Sequence, residues 1–340
     1  MSSGISVVIC CHDSAKRLPE TLRHLARQEF SRDLPWEVVI VDNASRDDTG
    51  PTALACWPAG HPAPLRVVFE PKPGTGHARD RGMAEARYEI ISFVDDDNWV
   101  PPDWVARVAN FFDRHPDVTA MGGPSKGAFD GAPPPWFEMV AMPFAVGPQF
   151  EVDGDVSNLH GTLLWTTGMN LRKQAALDLF AKGFQFESRS TGQRGQDAEL
   201  CFALRASGAK IYYDSTMMLQ HYVPANRLKW SYALKHSFIG GENSPVFGLY
   251  TMSLGFYPLD KYPRWKQTWI FQVLKTVKDL IVSCLLHPIA SFRQPEGSRH
   301  ALRFQAILGQ LSTLRKLRGH YAEVRDRIRT AAWVKSPHAR

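Results

Sequence analysis

The sequence has few of the features that mark secreted or membrane-spanning chains. Its 340 residues include five cysteines, an odd number, and no CxxC pair that would indicate a zinc site. This usage is typical of a reducing compartment rather than of a disulfide framework. No run reaches about 18 consecutive apolar residues, so no transmembrane span is predicted. Residues 1–11 lack a basic segment, which predicts no signal peptide. We therefore expect a cytoplasmic protein.

The sequence also lacks the two most familiar nucleotide-binding loops. Neither GxxxxGK[ST] nor GxGxxG follows the first predicted strand, which argues against P-loop and Rossmann dinucleotide sites. A composition of 44% hydrophobic and 22% charged residues excludes disordered and collagen-like chains. The length allows one large domain or two modest ones.

Positive charge is concentrated in one part of the chain. The net charge is +6, and residues 293–340 hold 11 Lys and Arg against 3 Asp and Glu. The first 292 residues carry 29 basic and 31 acidic side chains. A near-neutral body argues against nucleic-acid binding, because a nucleic-acid-binding fold carries its positive charge on the folded domain. The basic segment predicts either a solvated helix or contact with an anionic surface.

The first third of the chain alternates short apolar runs with helical patterns. Strands are predicted at residues 5–10, 36–42, 65–69 and 88–94, and helical patterns lie between them, as at 76–87. Strands separated by helices indicate βαβ units and a mostly parallel sheet covered on both faces. The predicted fold class is α/β.

The remaining sequence changes character twice. Residues 121–213 are rich in loops, with further helices predicted at 173–181 and 196–207. The glycine-bearing stretch 240–244 predicts a mobile flap. Apolar residues recur at i, i+3, i+4 and i+7 over 265–286, which predicts an amphipathic helix, and a second such pattern occupies the last segment.

Polar side chains follow three predicted strands. In a parallel sheet, ligands bind outside the carboxyl ends of the strands. The residues at these ends are His12, Asp13, Asp42, Asn43, Asp95, Asp96 and Asp97. The sequence therefore predicts a ligand site at this edge.

The acidic triplet Asp95, Asp96 and Asp97 follows a buried strand, where like charges need compensation. Oxygen ligands around an open position suit Mg²⁺ or Mn²⁺ holding a substrate diphosphate. A solvated acidic turn, or a cap for the helix beginning near Asp103, is the alternative.

Two further segments carry candidate chemistry. A glycine-bearing turn at 71–79 opens a helix, and its backbone N–H groups together with Arg79 suit phosphate oxygens. Asp197 and Glu199 begin another helix after a polar stretch. A carboxylate there is either a partner of the helix dipole or a general base that accepts a proton from an alcohol.

Taken in order, these segments resemble the family 2 glycosyltransferases, which are inverting enzymes of the GT-A fold that use nucleotide-diphosphate sugars. VVICCHDSAKRLPETLRHLARQ is similar to the family's first strand and helix, and VIVDNASRDDTG to its second-strand signature. GTGHARDRGMAEARYEIISFVDDDNWVPPDWV is similar to its metal-binding segment, and GQDAELCFALRASG to the helix that carries the base. The resemblance covers roughly residues 5–241.

The resemblance implies roles for individual residues in donor binding. Asp42 would contact the nucleotide base, most simply uracil, and Arg79 the diphosphate. The other implied nucleotide-binding residues are Cys10, Cys11, His12, Asp13, Asn43, Asp95 and Asp96. Asp95 and Asp97 would form the ends of the D-x-D metal motif for Mn²⁺ or Mg²⁺, with Asp97 the direct ligand. His221 would complete this metal site.

The resemblance also implies that Asp197 is the catalytic base. The family usually has Asn at the position of Asp13 and a carboxylate at the position of Gln196. Because Gln196 is neutral, less like-charge repulsion acts on Asp197.

For the acceptor, we expect a glycan or a lipid-linked sugar, contacted by Trp136, Glu199 and Trp230. The predicted domain organisation has a nucleotide-sugar-binding half at 1–120, an acceptor and catalytic-base half at 121–262, and a helical extension at 263–340. This extension would contact a membrane surface, form a homodimer or pack on the body.

Two alternatives stay open at this stage. A metal-dependent sugar-phosphate nucleotidyltransferase also uses paired carboxylates in an α/β fold and would release pyrophosphate. A non-catalytic scaffold that binds sugar nucleotides in polysaccharide assembly would retain the fold without turnover.

Overall fold

The computed structural model describes residues 4–30, 33–159, 163–191, 195–256 and 263–335. The chain divides into two compact units. Unit 1 comprises Met1–Ala128, Ala145–Ala181 and Ala209–Val223, and unit 2 comprises Phe129–Phe144, Lys182–Gly208 and Pro224–Arg340. The predicted segment 121–262 contributes to both units.

The strands and helices are numbered in chain order. The strands are β1 (Ile5–Cys11), β2 (Trp36–Asp42), β3 (Leu65–Phe69), β4 (Ile90–Phe93), β5 (Asn98–Trp99), β6 (Val118–Gly122), β7 (Ser125–Phe129), β8 (Gly154–Asp155), β9 (Asn170–Arg172), β10 (Lys210–Tyr213) and β11 (Leu219–Val223). The helices are α1 (Leu18–Leu25), α2 (Thr49–Cys56), α3 (Thr75–Glu85), α4 (Trp104–Arg114), α5 (Lys173–Ala181), α6 (Glu187–Thr191), α7 (Gln196–Ala206), α8 (Trp230–Ser253), α9 (Trp269–Leu286), α10 (Pro288–Phe292), α11 (Arg299–Lys316) and α12 (Tyr321–Arg329).

Unit 1 is built on an eight-stranded mixed sheet in the order β3-β2-β1-β4-β9-β6-β10-β8. The first four strands pair in parallel, while β9 runs antiparallel between β4 and β6. A second, three-stranded sheet has the order β5-β11-β7. The predicted α/β class with a mostly parallel sheet is confirmed.

The core of unit 1 follows from the pattern of apolar residues. Ile5, Val7 and Ile9 of β1 are fully buried, as expected for a strand covered on both faces. Helix α1 contributes its apolar stripe and α4 contributes its largest side chain, Trp104, to the same cluster. This packing holds the strands rigidly beneath the loops that follow them.

Parallel pairing brings three strand ends to one edge of the sheet. Cys11 at the end of β1 lies opposite Asp42 at the end of β2. On the other side of β1, Val8 lies opposite Phe93, the last residue of β4. The expected convergence of polar residues at this edge is therefore confirmed by the strand register.

Unit 2 is dominated by helices, and the longest is α8. The prediction of a mobile flap at 240–244 is wrong, because these residues lie inside α8. A Cβ atom on Gly241 would lie 2.0 Å from the carbonyl oxygen of Ala306, and one on Gly309 would lie 2.1 Å from that of Phe238. The glycines therefore permit the backbones of α8 and α11 to approach closely, rather than forming a loop.

This packing predicts opposite effects for two adjacent substitutions. We expect Gly241→Ala to lower the free energy of unfolding by about 1–3 kcal/mol, because the added methyl group meets backbone. A Cβ on Gly240 would have no heavy atom within 4 Å. Gly240→Ala should therefore raise stability by about 0.5–1 kcal/mol through helix propensity. Urea denaturation of both variants measures the two changes in the free energy of unfolding. Equal changes for Gly240→Ala and Gly241→Ala would contradict this packing and would indicate a flexible loop.

Candidate functional site

Asn43 joins the ends of three strands in unit 1 through its side chain and its backbone carbonyl. Its Nδ2 donates to the carbonyl oxygens of Glu70, at 3.1 Å, and Lys72, at 2.6 Å. Its Oδ1 accepts from the backbone N–H of Gly74 at 2.7 Å. The ring Nδ1 of His12 lies 2.8 Å from the carbonyl oxygen of Asn43. The amide of Asn43 thus shapes the loops around the predicted nucleotide site.

Asp42 and Asp13 are held differently at this edge. Asp42 Oδ1 accepts from the backbone N–H of Ser45 at 3.1 Å, and the absence of a side chain at Gly50 leaves room for Oδ2. Asp13 adopts φ +50°, a left-handed conformation that Asp and Asn tolerate better than most residues. Its hydrogen bonds with Arg46 hold the pKa of the Asp13 carboxyl at about 2. Asp13 therefore stays ionised at neutral pH.

Asp96 joins the end of β4 to the start of α1. Its Oδ2 accepts from the Ser14 hydroxyl and lies 2.7 Å from the Arg17 guanidinium, while its backbone carbonyl accepts from Thr21 Oγ1 at 3.0 Å. Burial raises the pKa of Asp96, although the bond from Arg17 favours the ionised form. The contacts of this carboxylate are structural, so Asp96 organises the acidic turn.

Asp95 and Arg79 are oriented by two adjacent threonines. Thr167 Oγ1 donates to Asp95 Oδ2 at 2.7 Å, and an Arg79 guanidinium nitrogen donates to Thr166 Oγ1. Burial and the neighbouring charge of Asp97 raise the pKa of Asp95. Arg79 of α3 and Asp95 of the acidic turn are thus both hydrogen-bonded to the short segment that precedes β9.

Asp97 faces His221 of β11. The Nε2 atom of His221 lies 3.5 Å from Asp97 Oδ1, and the backbone N–H of Tyr222 donates to the Asp97 carbonyl oxygen at 2.8 Å. The Asp97 and His221 side chains are both buried. Strands β5 and β11 pair antiparallel, so His221 lies opposite Asn98. This register brings the His221 ring close to the neighbouring Asp97. The structure thus brings His221 next to Asp97, and the role of His221 in a metal site stays a prediction.

The donor set at Asp97 and His221 fits a divalent cation. His221 Nδ1 lies 3.3 Å from the carbonyl oxygen of Ala145, and donation there leaves a lone pair on Nε2 toward Asp97. Metal-binding histidines commonly donate their second nitrogen in this way. Within the described ranges, no three or more His, Cys, Asp or Glu side chains form a cluster suited to a metal ion. A cation held by Asp97 and His221 would therefore need further ligands from other groups.

The two cysteines of β1 contribute no charge to this edge. Burial raises the pKa of the Cys10 thiol to about 12 and that of the Cys11 thiol well above its usual value. Both side chains are therefore neutral thiols.

In unit 2, Asp197 and Glu199 lie in the first turn of α7 but have different surroundings. Asp197 is half-buried, whereas Glu199 is fully buried. The Glu199 carboxylate accepts from the backbone N–H groups of Glu187, at 2.6 Å, and Ser188, at 3.1 Å, and from the Tyr250 hydroxyl at 3.0 Å. The prediction that Glu199 contacts an acceptor is not supported, because its carboxylate holds the segment that precedes α7.

Burial raises the pKa of Glu199 to about 7, against the hydrogen bonds that favour the carboxylate. A folded-state pKa above the ordinary value means that protonated Glu199 stabilises the fold below about pH 4.5, and this contribution is lost as the pH rises through about 7. We expect wild type to lose about 2–3 kcal/mol of stability between about pH 5 and pH 8 relative to Glu199→Gln. Denaturation at both pH values tests this, with Glu138→Gln as an exposed control. Parallel pH profiles for wild type and Glu199→Gln would contradict it.

The two predicted acceptor tryptophans contact each other in unit 2. Their ring centroids are 5.2 Å apart, at 69°. Trp136 is buried and donates to Glu296 Oε1 at 2.7 Å, while the half-buried Trp230 donates to the carbonyl oxygen of Gln294 at 2.9 Å. Both indoles therefore pack against residues 294–296. Because Trp136 is buried, the structure does not support its predicted contact with the acceptor substrate. Trp230 is half-buried, so part of its ring is accessible to such a substrate.

Comparison with known proteins bears on this arrangement. Residues 6–166, which include the three strand ends and the acidic turn, match the family model described as Glycosyl transferase family 2. Residues 6–166 therefore form a glycosyl transferase family 2 domain. Succinoglycan biosynthesis protein ExoM of Rhizobium meliloti (strain 1021) is 24% identical over 251 residues, covering 70% of this chain and 73% of that protein. Glucosyl-dolichyl phosphate glucuronosyltransferase of Haloferax volcanii is 21% identical over 303 residues, covering 82% and 87%.

Solved structures share the fold of this chain. The mannosyltransferase PcManGT from Pyrobaculum calidifontis, in complex with GDP-Man and Mn²⁺, has a TM-score of 0.58 at 17% identity, covering 92% of this chain and 88% of that one. S. aureus TarS in complex with UDP-GlcNAc has a TM-score of 0.51 at 17% identity, covering 93% and 91%. The GT-A architecture expected from the motifs is thereby confirmed.

The sequence gives no sign of several residues that organise this edge of unit 1. Thr166 and Thr167 orient Arg79 and Asp95, and Ser14 with Arg17 binds Asp96. The two threonines precede β9, an antiparallel strand inserted between β4 and β6. No local sequence pattern predicts that β9 lies between β4 and β6. The turn chemistry of Ser14, just after β1, is the one signal that points to such a role.

Proposed function

We propose that this chain is an inverting glycosyltransferase. It would transfer a sugar, of the hexosyl or N-acetylhexosaminyl type, from a nucleotide-diphosphate donor to a hydroxyl group of a glycan or lipid-linked acceptor. The observation that carries the proposal is the convergence of Asp42, the Asp95–Asp97 turn and His221 at one edge of unit 1. This edge lies at the carboxyl ends of parallel strands, where such sheets bind ligands.

The donor would bind through the nucleotide and the diphosphate. Asp42, at the end of β2, is the proposed partner of the nucleotide base, and a carboxylate suits the imide N–H of uracil as a hydrogen-bond acceptor. Arg79 is the proposed partner of the diphosphate, because a guanidinium binds phosphate oxygens in a forked geometry. The compared structures contain UDP-GlcNAc and GDP-Man. We favour UDP-sugars as the donor and retain GDP-sugars for testing.

Asp97 and His221 are the residues that would hold a Mn²⁺ or Mg²⁺ ion, with Asp95 close by. A divalent cation bound there supplies positive charge against the negative charge that develops on the departing diphosphate. The contact between Nε2 of His221 and Oδ1 of Asp97 supports this assignment. Thr167 and Asn98 orient the carboxylates of the acidic turn through hydrogen bonds.

Asp197 is the proposed general base. It would accept the proton of the acceptor hydroxyl while the hydroxyl oxygen attacks the anomeric carbon from the face opposite the leaving diphosphate. One step then forms the glycosidic bond, breaks the bond to the diphosphate and inverts the configuration. Two observations favour Asp197 over Glu199: Asp197 is half-buried rather than fully buried, and Glu199 already accepts three hydrogen bonds.

A product assay tests the proposal. The purified protein is incubated with a UDP-sugar, Mn²⁺ and a mixture of glycan and lipid-linked acceptors, and the released nucleotide is separated. We expect a nucleoside diphosphate in proportion to transferred sugar, with the anomeric configuration inverted by NMR. Release of pyrophosphate would instead identify a nucleotidyltransferase. Donor binding without any product across the acceptor panel would favour the non-catalytic scaffold.

A further inference from the structure

Helix α9 in unit 2 buries small polar residues and leaves several of its large apolar residues exposed. Its buried residues are Thr276 and Ser283. In α10, the buried residue is Ser291, whose hydroxyl lies 3.2 Å from that of Ser283. A helix that packs on a protein core has the opposite pattern.

The outward face of these two helices is a continuous apolar stripe. On α9, residues three or four apart lie on the same face of a helix. Seven of the exposed apolar residues of α9 and α10, which we call the outer stripe, are Ile270, Leu274, Val277, Ile281, Leu285, Ile289 and Phe292; Val282 and Leu286 are exposed as well. Leu285 is 73% exposed and Phe292 72%. Large apolar surfaces of this kind usually mark an interaction site.

The inner face of α9 already has its partners within unit 2. Trp269 Nε1 donates to the carbonyl oxygen of Leu314 in α11 at 2.7 Å, and Gln272 donates to that of Lys266 at 2.8 Å. Helix α9 therefore packs on α11 within unit 2 through the face opposite its exposed apolar residues. The outer stripe is left facing away from the helices of its own unit.

Basic side chains border the outer stripe. Lys278 and Lys275 are exposed. Viewed down the helix axis, Lys278 lies next to Leu285 and Lys275 lies beyond it, at the edge of the outer stripe. Further exposed arginines lie before and after the stripe, namely Arg264, Arg293, Arg299 and Arg303. Over residues 263–305 the acidic side chains are Asp279 and Glu296, against seven Lys and Arg. A twofold dimer through this face would set these like charges against each other, whereas an anionic surface complements them.

We propose that the outer stripe binds the surface of a lipid bilayer that contains anionic lipids. The apolar side chains would enter the boundary between headgroups and acyl chains, and the flanking Lys and Arg would contact lipid phosphates. Within the part of the chain that the structure describes, no helix has the length and apolarity needed to cross a bilayer. The helix would therefore lie along the surface. Binding of this kind requires neither donor nor acceptor, so it can be tested independently of the glycosyltransferase proposal.

Vesicle co-sedimentation of the full chain tests the inference. The vesicles contain phosphatidylcholine with phosphatidylglycerol, or phosphatidylcholine alone. The stripe variant combines Ile270→Gln, Leu274→Gln, Ile281→Gln and Leu285→Gln, all at exposed positions. A matched control variant changes four exposed apolar residues elsewhere, Leu54, Met142, Val152 and Met218, to Gln.

We expect wild type and the control variant to bind the anionic vesicles and to release them as salt is raised. The stripe variant should bind about 100-fold more weakly. Lys275→Gln with Lys278→Gln should weaken binding about 25-fold, because each basic residue near an anionic surface contributes about fivefold. Equal binding by the stripe variant and wild type would overturn the proposal. A wild-type dimer that ignores vesicles and dissociates in the stripe variant would overturn it in favour of a second copy.

Discussion

Asp197→Asn is expected to lower the rate of sugar transfer by about 10²–10⁴-fold while leaving donor binding unchanged. General-base catalysis contributes a factor of this size, which corresponds to about 3–5 kcal/mol of activation free energy. The amide of Asn keeps the size of the carboxylate but cannot accept the proton of the acceptor hydroxyl. Asp197, in the first turn of α7, is not among the residues proposed to contact the nucleotide or the diphosphate, so its loss should spare donor binding.

The measurement is kcat for transfer at saturating donor, with the donor Kd obtained separately by titration. Asp178→Asn is a suitable control, since it removes another helical carboxylate, exposed in α5 of unit 1. The control should retain wild-type kcat. An Asp197→Asn enzyme with kcat within about twofold of wild type would exclude Asp197 as the base.

Asp97→Asn is expected to abolish the dependence of donor binding on Mn²⁺ and to reduce transfer by about 100-fold or more. The substitution removes the charge of Oδ1, the atom that faces His221 Nε2 at 3.5 Å. An amide at this position is a weak metal ligand compared with a carboxylate. Donor affinity should fall to the value that wild type shows without divalent metal.

The adjacent residue provides a control for Asp97. The Asp96 carboxylate binds Ser14 and Arg17, so Asp96→Asn should lower thermal stability. It should nevertheless leave the Mn²⁺ titration of donor binding close to that of wild type. If Asp96→Asn loses the Mn²⁺ response and Asp97→Asn keeps it, the assignment of the metal ligand within the acidic triplet is wrong.

The strand ends of unit 1 could be predicted from the sequence because they depend on local patterns. Runs such as residues 36–42 are apolar enough to be buried on both faces, and helical patterns separate them. Parallel order then follows from the need for crossover connections. Once the strands are parallel, Asp42 and the acidic triplet must lie at the same edge, and the register between β1 and its neighbours places them there.

Features that depend on distant contacts could not be predicted. The flap prediction failed because the glycines of α8 are required by the approach of α11, which begins at residue 299. Glu199 resembled an exposed acid of a helix start, yet Tyr250 and the backbone of residues 187–188 bury it. The amphipathic pattern of α9 was recognised, but which face turns outward is decided by packing against α11. In each case a partner far along the chain sets the environment.

The account depends on one claim, that the strand-end carboxylates of unit 1 bind a nucleotide-diphosphate sugar with a divalent cation. Thermal melting of the full chain with UDP-, GDP- and dTDP-sugars, each with and without Mn²⁺, tests it most directly. We expect one nucleotide class to raise Tm by several degrees with Mn²⁺ and by less without it, since a ligand at about 100 times its Kd stabilises a protein by about 2.7 kcal/mol. In Asp42→Asn this shift should shrink. No change in Tm with any of the three donors at about 1 mM, with or without Mn²⁺, would contradict the claim.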